Sequence, residues 1–203
     1  PVIFSGTVRS NLDPFDMFEE HQLWSALDQV KLDDPVRKMG GLDATIAESG
    51  GNLSVGQRQL LCMARALLRN AKILLLDEAT SSVDNVTDSI IQETIRRAFV
   101  DCTVLTIAHR LHTIIDADKI MLLEAGELKE FASPAALLQK PDSHFTKLVD
   151  STSKGASAQL RVLALEAEKA RKEGKVLLPP PSTPGREENA LPDTRRSDDE
   201  GED

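Results

Sequence analysis

Two short stretches of this chain hold residues whose types and order could do chemistry. Leu53-Ser54-Val55-Gly56-Gln57 stands immediately before a strongly periodic apolar segment. Ser54, with Gln57 three residues on, has the form of a capping box. The same geometry also makes an anion site. A helix start offers unpaired N–H groups and a positive dipole end, and a glycine at position 56 lets a phosphate approach the backbone. The two uses are compatible, because Ser54 can satisfy one N–H and still offer its hydroxyl. The second stretch, Ile73-Leu74-Leu75-Leu76-Asp77-Glu78, ends an apolar run in two carboxylates. Acids at the carboxyl end of a buried strand sit where α/β sheets place ligands, and they are costly there unless a metal or a reaction uses them. Asp77 is of the type that holds Mg2+ through water, and Glu78 of the type that orients and polarises an attacking water in phosphoryl transfer. An ordinary strand end with two exposed acids fits the hexapeptide equally well.

Two further positions gain meaning from their order. His109 directly follows a second apolar run, Cys102 to Ala108. A lone His is usually structural, but at the end of a strand neighbouring the Asp77 strand it could contact a γ-phosphate and hold Glu78 and the water in place. Ser81-Ser82-Val83-Asp84 is turn chemistry leading into a helix, and only its place just after Glu78 marks it out.

The elements that must position these residues are legible. Leu60, Leu61, Ala64, Leu67 and Leu68 form a core-facing stripe on a helix expected over residues 56–68. Lys72 to Leu76 has no polar alternation, as in a strand of a parallel sheet buried on both faces. A helix over 88–99, with Ile90, Ile91, Thr94, Ile95 and Ala98 inward, leads to the strand over 102–108. Strand–helix–strand order indicates an α/β parallel sheet. Residues 119–123 and 127–131 bracket Glu124-Ala125-Gly126, a hairpin with glycine where positive φ is needed. Ser133-Pro134 caps a helix to Leu138, Phe145 to Val149 gives another helical turn, and Ala156 to Lys172 reads as a further helix. N-terminally, Phe15 to Val30 and Leu32 to Met39 read as helices.

Composition sets the bounds. The chain has 203 residues, 40% hydrophobic but only 3% aromatic, with no Tyr and one Trp, so its core is aliphatic. A net charge of −9 argues against a nucleic-acid surface, which needs clustered Lys and Arg. It does not argue against nucleotides, which a few N–H groups and a metal can hold. Cys62 and Cys102 have no metal-type spacing and read as two thiols in a reducing compartment. No apolar run approaches a membrane span, and no signal peptide opens the chain. Pro179-Pro180-Pro181 ends regular structure, and the polar, acidic tail beyond it is expected to be disordered.

The ordered set of motifs resembles the ATP-binding cassette (ABC) ATPases. Leu53 to Gln57 resembles their signature motif, Ile73 to Glu78 their Walker B strand, Ser81 to Asp84 their D-loop and His109 their switch histidine. Val2 to Phe15 is similar to the segment following the Q-loop in subfamily C exporters, the multidrug-resistance-associated proteins, and Val55 is typical of their second nucleotide-binding domain. The resemblance covers Pro1 to about Val149. It implies a P-loop NTPase-type parallel sheet flanked by helices with an α-helical signature subdomain, the N-terminal part of the fold missing. Residues 1–150 would form the partial domain, 151–178 a C-terminal helix and 179–203 the tail.

By that resemblance the cofactors are ATP and Mg2+. Asp77 would serve the metal, Glu78 and His109 would be catalytic, and Ser54, Val55, Gly56, Gln57 and Asp84 would contact nucleotide. The partners would be a second nucleotide-binding domain of the same transporter, paired head to tail, and transmembrane domains; no nucleic acid is expected. The place implied is the cytoplasmic face of a membrane transporter. Ser54 and Gly56 would serve the partner domain's nucleotide and Glu78 the domain's own. No G-x-x-x-x-G-K-[ST] occurs in the chain, so the expectation is a fragment that holds ATP poorly alone. A channel or channel-regulator cassette of the same subfamily, or a truncated non-catalytic product, shares these motifs. The Glu48-Ser49-Gly50-Gly51 loop and the acidic balance argue against a soluble cassette ATPase acting on DNA or ribosomes.

Overall fold

The computed structural model describes residues 2–77 and 83–175, and the chain divides into two compact units after Ile107. Glu78, Ser81, Ser82 and the proline-rich and acidic C-terminal segment lie outside the described residues.

The first unit opens with β1 (Gly6–Thr7) and α1 (Val8–Leu12), the latter capped by a Thr7/Ser10 box. Helices α2 (Glu20–Gln29) and α3 (Asp33–Met39) follow; α3 stops where Gly40 turns left-handed at φ 114°. Strand β2 (Thr45–Ile46) pairs antiparallel with β1. Helix α4 (Val55–Leu68) carries the expected stripe, with Leu60, Leu61, Met63 and Ala64 buried. Leu67 and Leu68 are only partly buried, because the last turn of α4 borders an open groove. The core gathers Leu23, Leu27 and Val30 from the α2 region, Val8, Ile46, Leu60, Leu61 and, from further along, Ile91. Each fully buried leucine or isoleucine there is worth about 1.5–3 kcal/mol relative to exposure.

Strand β3 (Ile73–Asp77), helix α5 (Asn85–Ala98) and strand β4 (Thr103–Ile107) complete the unit. β3 and β4 pair parallel, from Ile73 opposite Thr103 to Asp77 opposite Ile107, as the strand–helix–strand order requires. The expectation of burial on both faces does not hold. Leu74 and Val104 pack on the helical core, but Ile73, Leu75, Leu105 and Ile107 on the pair stay half or more exposed. Among the described residues the pair is two strands wide, and the helical core covers one face of it. The inner face of α5 also differs in detail. Asp88, Ile91, Gln92 and Thr94 are buried, while Ile90, Ile95 and Ala98 pack at the margin.

The second unit begins with α6 (Leu111–Ile114) and a hairpin of β5 (Ile120–Glu124) and β6 (Glu127–Ala132). Its two-residue turn has both Ala125 and Gly126 at positive φ, 50° and 78°, the mirror-image turn that matches strand twist. Helices α7 (Pro134–Leu138), α8 (His144–Asp150) and α9 (Lys154–Lys172) follow. Leu160 and Ala164 of α9 join Leu111, Ile115, Leu137, Phe145 and Val149 in a separate aliphatic core. Arg171 ties the end of α9 to the Asp116 and Ala117 carbonyls and the Asp118 carboxylate. Among the described residues, no helix is long and apolar enough to cross a membrane.

Candidate functional site

The site is built around the start of α4. The chain reaches it through a tight turn at Glu48–Gly50, in which Ser49 and Gly50 take positive φ of 55° and 70°. Side chains hold this turn. The Asn52 carboxamide accepts from the Ala47 N–H at 3.0 Å and donates to the Thr45 carbonyl at 2.9 Å. Arg58, one turn into α4, donates from Nη1 to the Leu53 carbonyl at 2.7 Å and the Gly50 carbonyl at 3.2 Å. Its stem crosses Gly50 so closely that a Cβ there would come 2.8 Å from Arg58 Cδ. Glycine is needed at that position for both backbone and space.

Ser54 is exposed and forms the expected capping box. Its Oγ accepts from the Gln57 N–H at 3.1 Å, and Gln57 Oε1 accepts from the Ser54 N–H at 2.9 Å. The hydroxyl keeps a hydrogen to donate, so cap and outward donor coexist. Val55 is half-buried and Gly56 buried. Gly56 also packs against its own chain. A Cβ added to it would overlap the Thr87 methyl, Cγ2, and would lie 3.1 Å from Thr87 Cβ. The side of Gly56 that lacks a side chain faces α5 of its own chain.

Asp84 caps α5. One carboxylate oxygen accepts from the Val86 and Thr87 N–H groups at 3.1 and 3.0 Å, and the other accepts from the Thr87 hydroxyl at 2.7 Å. The Thr87 N–H and hydroxyl bonds, and behind them that of Val86, hold its carboxyl below the ordinary aspartate range. Asp77 closes β3 opposite Ile107, with its side chain exposed, so it stands at the carboxyl end of a parallel strand as expected. His109 follows two residues after β4, half-buried at the beginning of the second unit. The structure thus brings Gly56 and Asp84 together through Thr87, and sets Asp77 at the strand end. Glu78 lies outside the described residues.

Asn52, Arg58 and Thr87 are the residues that sequence reasoning missed. Asp84-x-x-Thr87 is a readable N-cap spacing, and a glycine in the first turn of an otherwise strong helix calls for a packing reason. A groove of about 440 Å³ lies elsewhere in this unit, among Phe18, His21, Gln29, Leu67, Phe99 and Asp101. None of the candidate residues lines it, and its position gives no ground for joining it to their chemistry. Among the described residues no cluster of three or more His, Cys, Asp or Glu side chains could hold a metal.

Comparison with known proteins decides the family. Residues 3–81 match the family model described as ABC transporter. Over 161 residues the chain is 55% identical to ATP-binding cassette sub-family C member 4 of Mus musculus, covering 79% of this chain and 12% of that protein. It is 54% identical over 175 residues to ABC transporter C family member 3 of Dictyostelium discoideum, 86% of this chain and 12% of that one. It is also 54% identical over 168 residues to the Drosophila melanogaster protein named probable multidrug resistance-associated protein lethal(2)03659, with 82% and 12% covered. The chain belongs to the subfamily C ATP-binding cassettes. It spans about an eighth of the length of these relatives. Cassette membership implies the P-loop NTPase fold, and the parallel β3–α5–β4 unit agrees with it. Within the cassette, the segment resembling the signature motif is the capped start of α4, and the segment resembling Walker B is β3.

Proposed function

We propose that this chain supplies the signature-to-switch-histidine part of the second nucleotide-binding domain of a subfamily C exporter, the domain extending to about residue 150 with α9 following it. In that protein, ATP binding closes a head-to-tail pair of cassettes, and hydrolysis resets the pair to drive a solute across a membrane. The cassettes would work from the cytoplasmic face, joined to transmembrane domains outside this chain. The observation that carries the reading is one of order. An exposed capped serine at a helix start, an aspartate at the end of a parallel strand and an aspartate capping the next helix follow one another, and the family match runs through the first two.

The residues present fit half of a Mg-nucleotide site. Asp77 offers the hard oxygen that Mg2+ prefers, and water and phosphate oxygens would complete the ion's shell. When bound, Mg2+ would neutralise charge on the transferring phosphoryl group. The Ser54 hydroxyl and the first N–H groups of α4 would donate to the γ-phosphate of the nucleotide bound by the partner cassette. Glu78, following Asp77, would orient and polarise the attacking water, and His109 would hold that arrangement. The phosphate loop would come from sequence outside these 203 residues, which contain none.

Glu78→Gln in the complete protein tests this. It should retain nucleotide binding while hydrolysis falls by about two to three orders of magnitude, the usual cost of removing a catalytic base or a charge-stabilising group. Steady-state hydrolysis near wild type would remove Glu78 from the mechanism. The relative named multidrug resistance-associated supports the exporter reading over a channel.

A further inference from the structure

Helix α9 comes after the proposed cassette domain in sequence, yet its last turn reaches back to residues early in the second unit. Arg171 Nη2 donates to the Asp116 and Ala117 carbonyls at 3.0 and 2.9 Å, and Nε lies 2.6 Å from the Asp118 carboxylate. The Asp118 side chain is 87% exposed, so that ion pair contributes little. The two carbonyl bonds from a charged nitrogen carry the contact. They use one edge of a planar guanidinium, which an ammonium cannot reproduce. The segment they grip follows α6 (Leu111–Ile114), a single turn. One turn fixes many backbone angles for few hydrogen bonds, so it persists only where its surroundings hold it. Its own bonds are those of the Thr113 N–H to the Arg110 carbonyl and the Ala117 N–H to the Ile114 carbonyl, both 3.1 Å. Leu111 and Ile115 share a core with Leu160 and Ala164 of α9. This turn is thus held twice by α9, through apolar side chains and through Arg171. His109 and Arg110 lead straight into it, with Arg110 extended at φ −119° and ψ 121°.

We propose that Arg171 is a positioning residue for His109: by clamping the chain just past α6, it fixes the turn that His109 enters. Helix α9 then belongs to the working cassette, although it follows the domain in sequence. Arg171 touches neither nucleotide nor His109, so its effect passes through the backbone of residues 110–118. The functional consequence rests on the cassette reading above; the clamp itself does not.

The test uses the complete protein with Arg171→Met, Arg171→Lys and Arg161→Met, and with Arg171→Met combined with His109→Ala. Arg171→Met should speed amide exchange at Thr113 and Ala117 roughly tenfold, the scale of one lost charge-assisted hydrogen bond. It should lower kcat for ATP about fivefold and leave KM within about twofold, since no nucleotide contact is removed. Arg171→Lys should lie between it and wild type. In a His109→Ala background Arg171→Met should cost nothing further, because two residues that act through one another are not additive. Arg161 fastens another part of α9, to the Leu138 carbonyl and the Asp150 carboxylate. Arg161→Met therefore loosens the helix without touching the clamp, and kcat should stay within about twofold of wild type. Unchanged exchange at Thr113 and Ala117 in Arg171→Met would overturn the clamp. An equal loss of kcat in Arg161→Met, or a further fall in the His109→Ala background, would reduce Arg171 to general stability and overturn the proposal. A wild-type protein that hydrolyses no ATP would remove the cassette reading and with it the role of His109, while exchange would still decide the clamp.

Discussion

Arg58 offers the most direct test of how the candidate site is held. Replacing it with Met keeps most of the stem that lies over Gly50 but removes the guanidinium that donates to the Leu53 and Gly50 carbonyls at 2.7 and 3.2 Å. Hydrogen bonds to a charged group contribute about 1.5–3 kcal/mol each. One of these is long and both are only part-buried, so the pair together is worth about 2 kcal/mol rather than twice the full range. That corresponds to roughly thirtyfold in the opening equilibrium of the loop. Amide exchange should report it at Leu53, whose N–H donates to the Gly50 carbonyl at 2.9 Å, and at Gln57, whose N–H donates to Ser54 Oγ. Urea unfolding followed by Trp24, the chain's only tryptophan, half-buried against the first unit's core, separates local from global loss. The expected result is a loop opened about thirtyfold and a midpoint lowered with unchanged slope. Arg58→Lys, which can reach one carbonyl, should lie between the two. Unchanged exchange at Leu53 and Gln57 in Arg58→Met would refute the view that this side chain holds the loop.

Two further outcomes are expected. In the second unit, the Glu130 carboxylate accepts from the Ser143 hydroxyl and the His144 and Phe145 N–H groups at 3.0, 2.7 and 3.1 Å. Burial opposes its charge, but the Phe145 and His144 N–H groups and the Ser143 hydroxyl outweigh that and hold its pKa below the ordinary glutamate value. Its contribution is then complete above the unfolded pKa of about 4.3 and lost as pH falls through the lower folded value. Glu130→Gln should cost about 1 kcal/mol at neutral pH, like the loss of a good cap, and flatten the acid limb; equal acid sensitivity in both proteins would contradict this. Separately, isothermal calorimetry on the 203-residue chain should detect no Mg-dependent ATP binding in the range of about 1–100 μM, since affinity there needs the N–H groups and Lys of a phosphate loop. Tight binding would mean that the nucleotide site has been misplaced.

Most of the element order was legible because it rests on local periodicity. The α4 stripe follows from apolar residues three and four apart, and β3 and β4 follow from unbroken apolar runs with a helix between them. The box at Ser54 and Gln57 and the glycine in the β5–β6 turn were equally readable, since each is a short-range chemical requirement. Other features had no such signal. Arg58 on backbone carbonyls and Arg65 on Asn11 Oδ1 at 2.7 Å join residues whose partners are set by tertiary structure. Ile73 and Leu75 read as doubly buried because an apolar run registers a need for cover, not whether the described residues supply it. A glycine at a helix start likewise carries no local sign that Thr87 packs against it.

The head-to-tail placement of Ser54 is the central claim, and Ser54→Asp in the complete protein tests it most directly. Aspartate is as good an N-cap as serine, so the helix start is preserved while a carboxylate replaces an outward hydroxyl. Against a γ-phosphate at about 4 Å, with an effective dielectric near 20, that charge costs roughly 4 kcal/mol. Site-resolved photolabelling with an azido-ATP should lose the label on the partner cassette and keep it on the cassette that contains Ser54. Loss of the label from that cassette's own site, with the partner's label intact, would contradict the assignment.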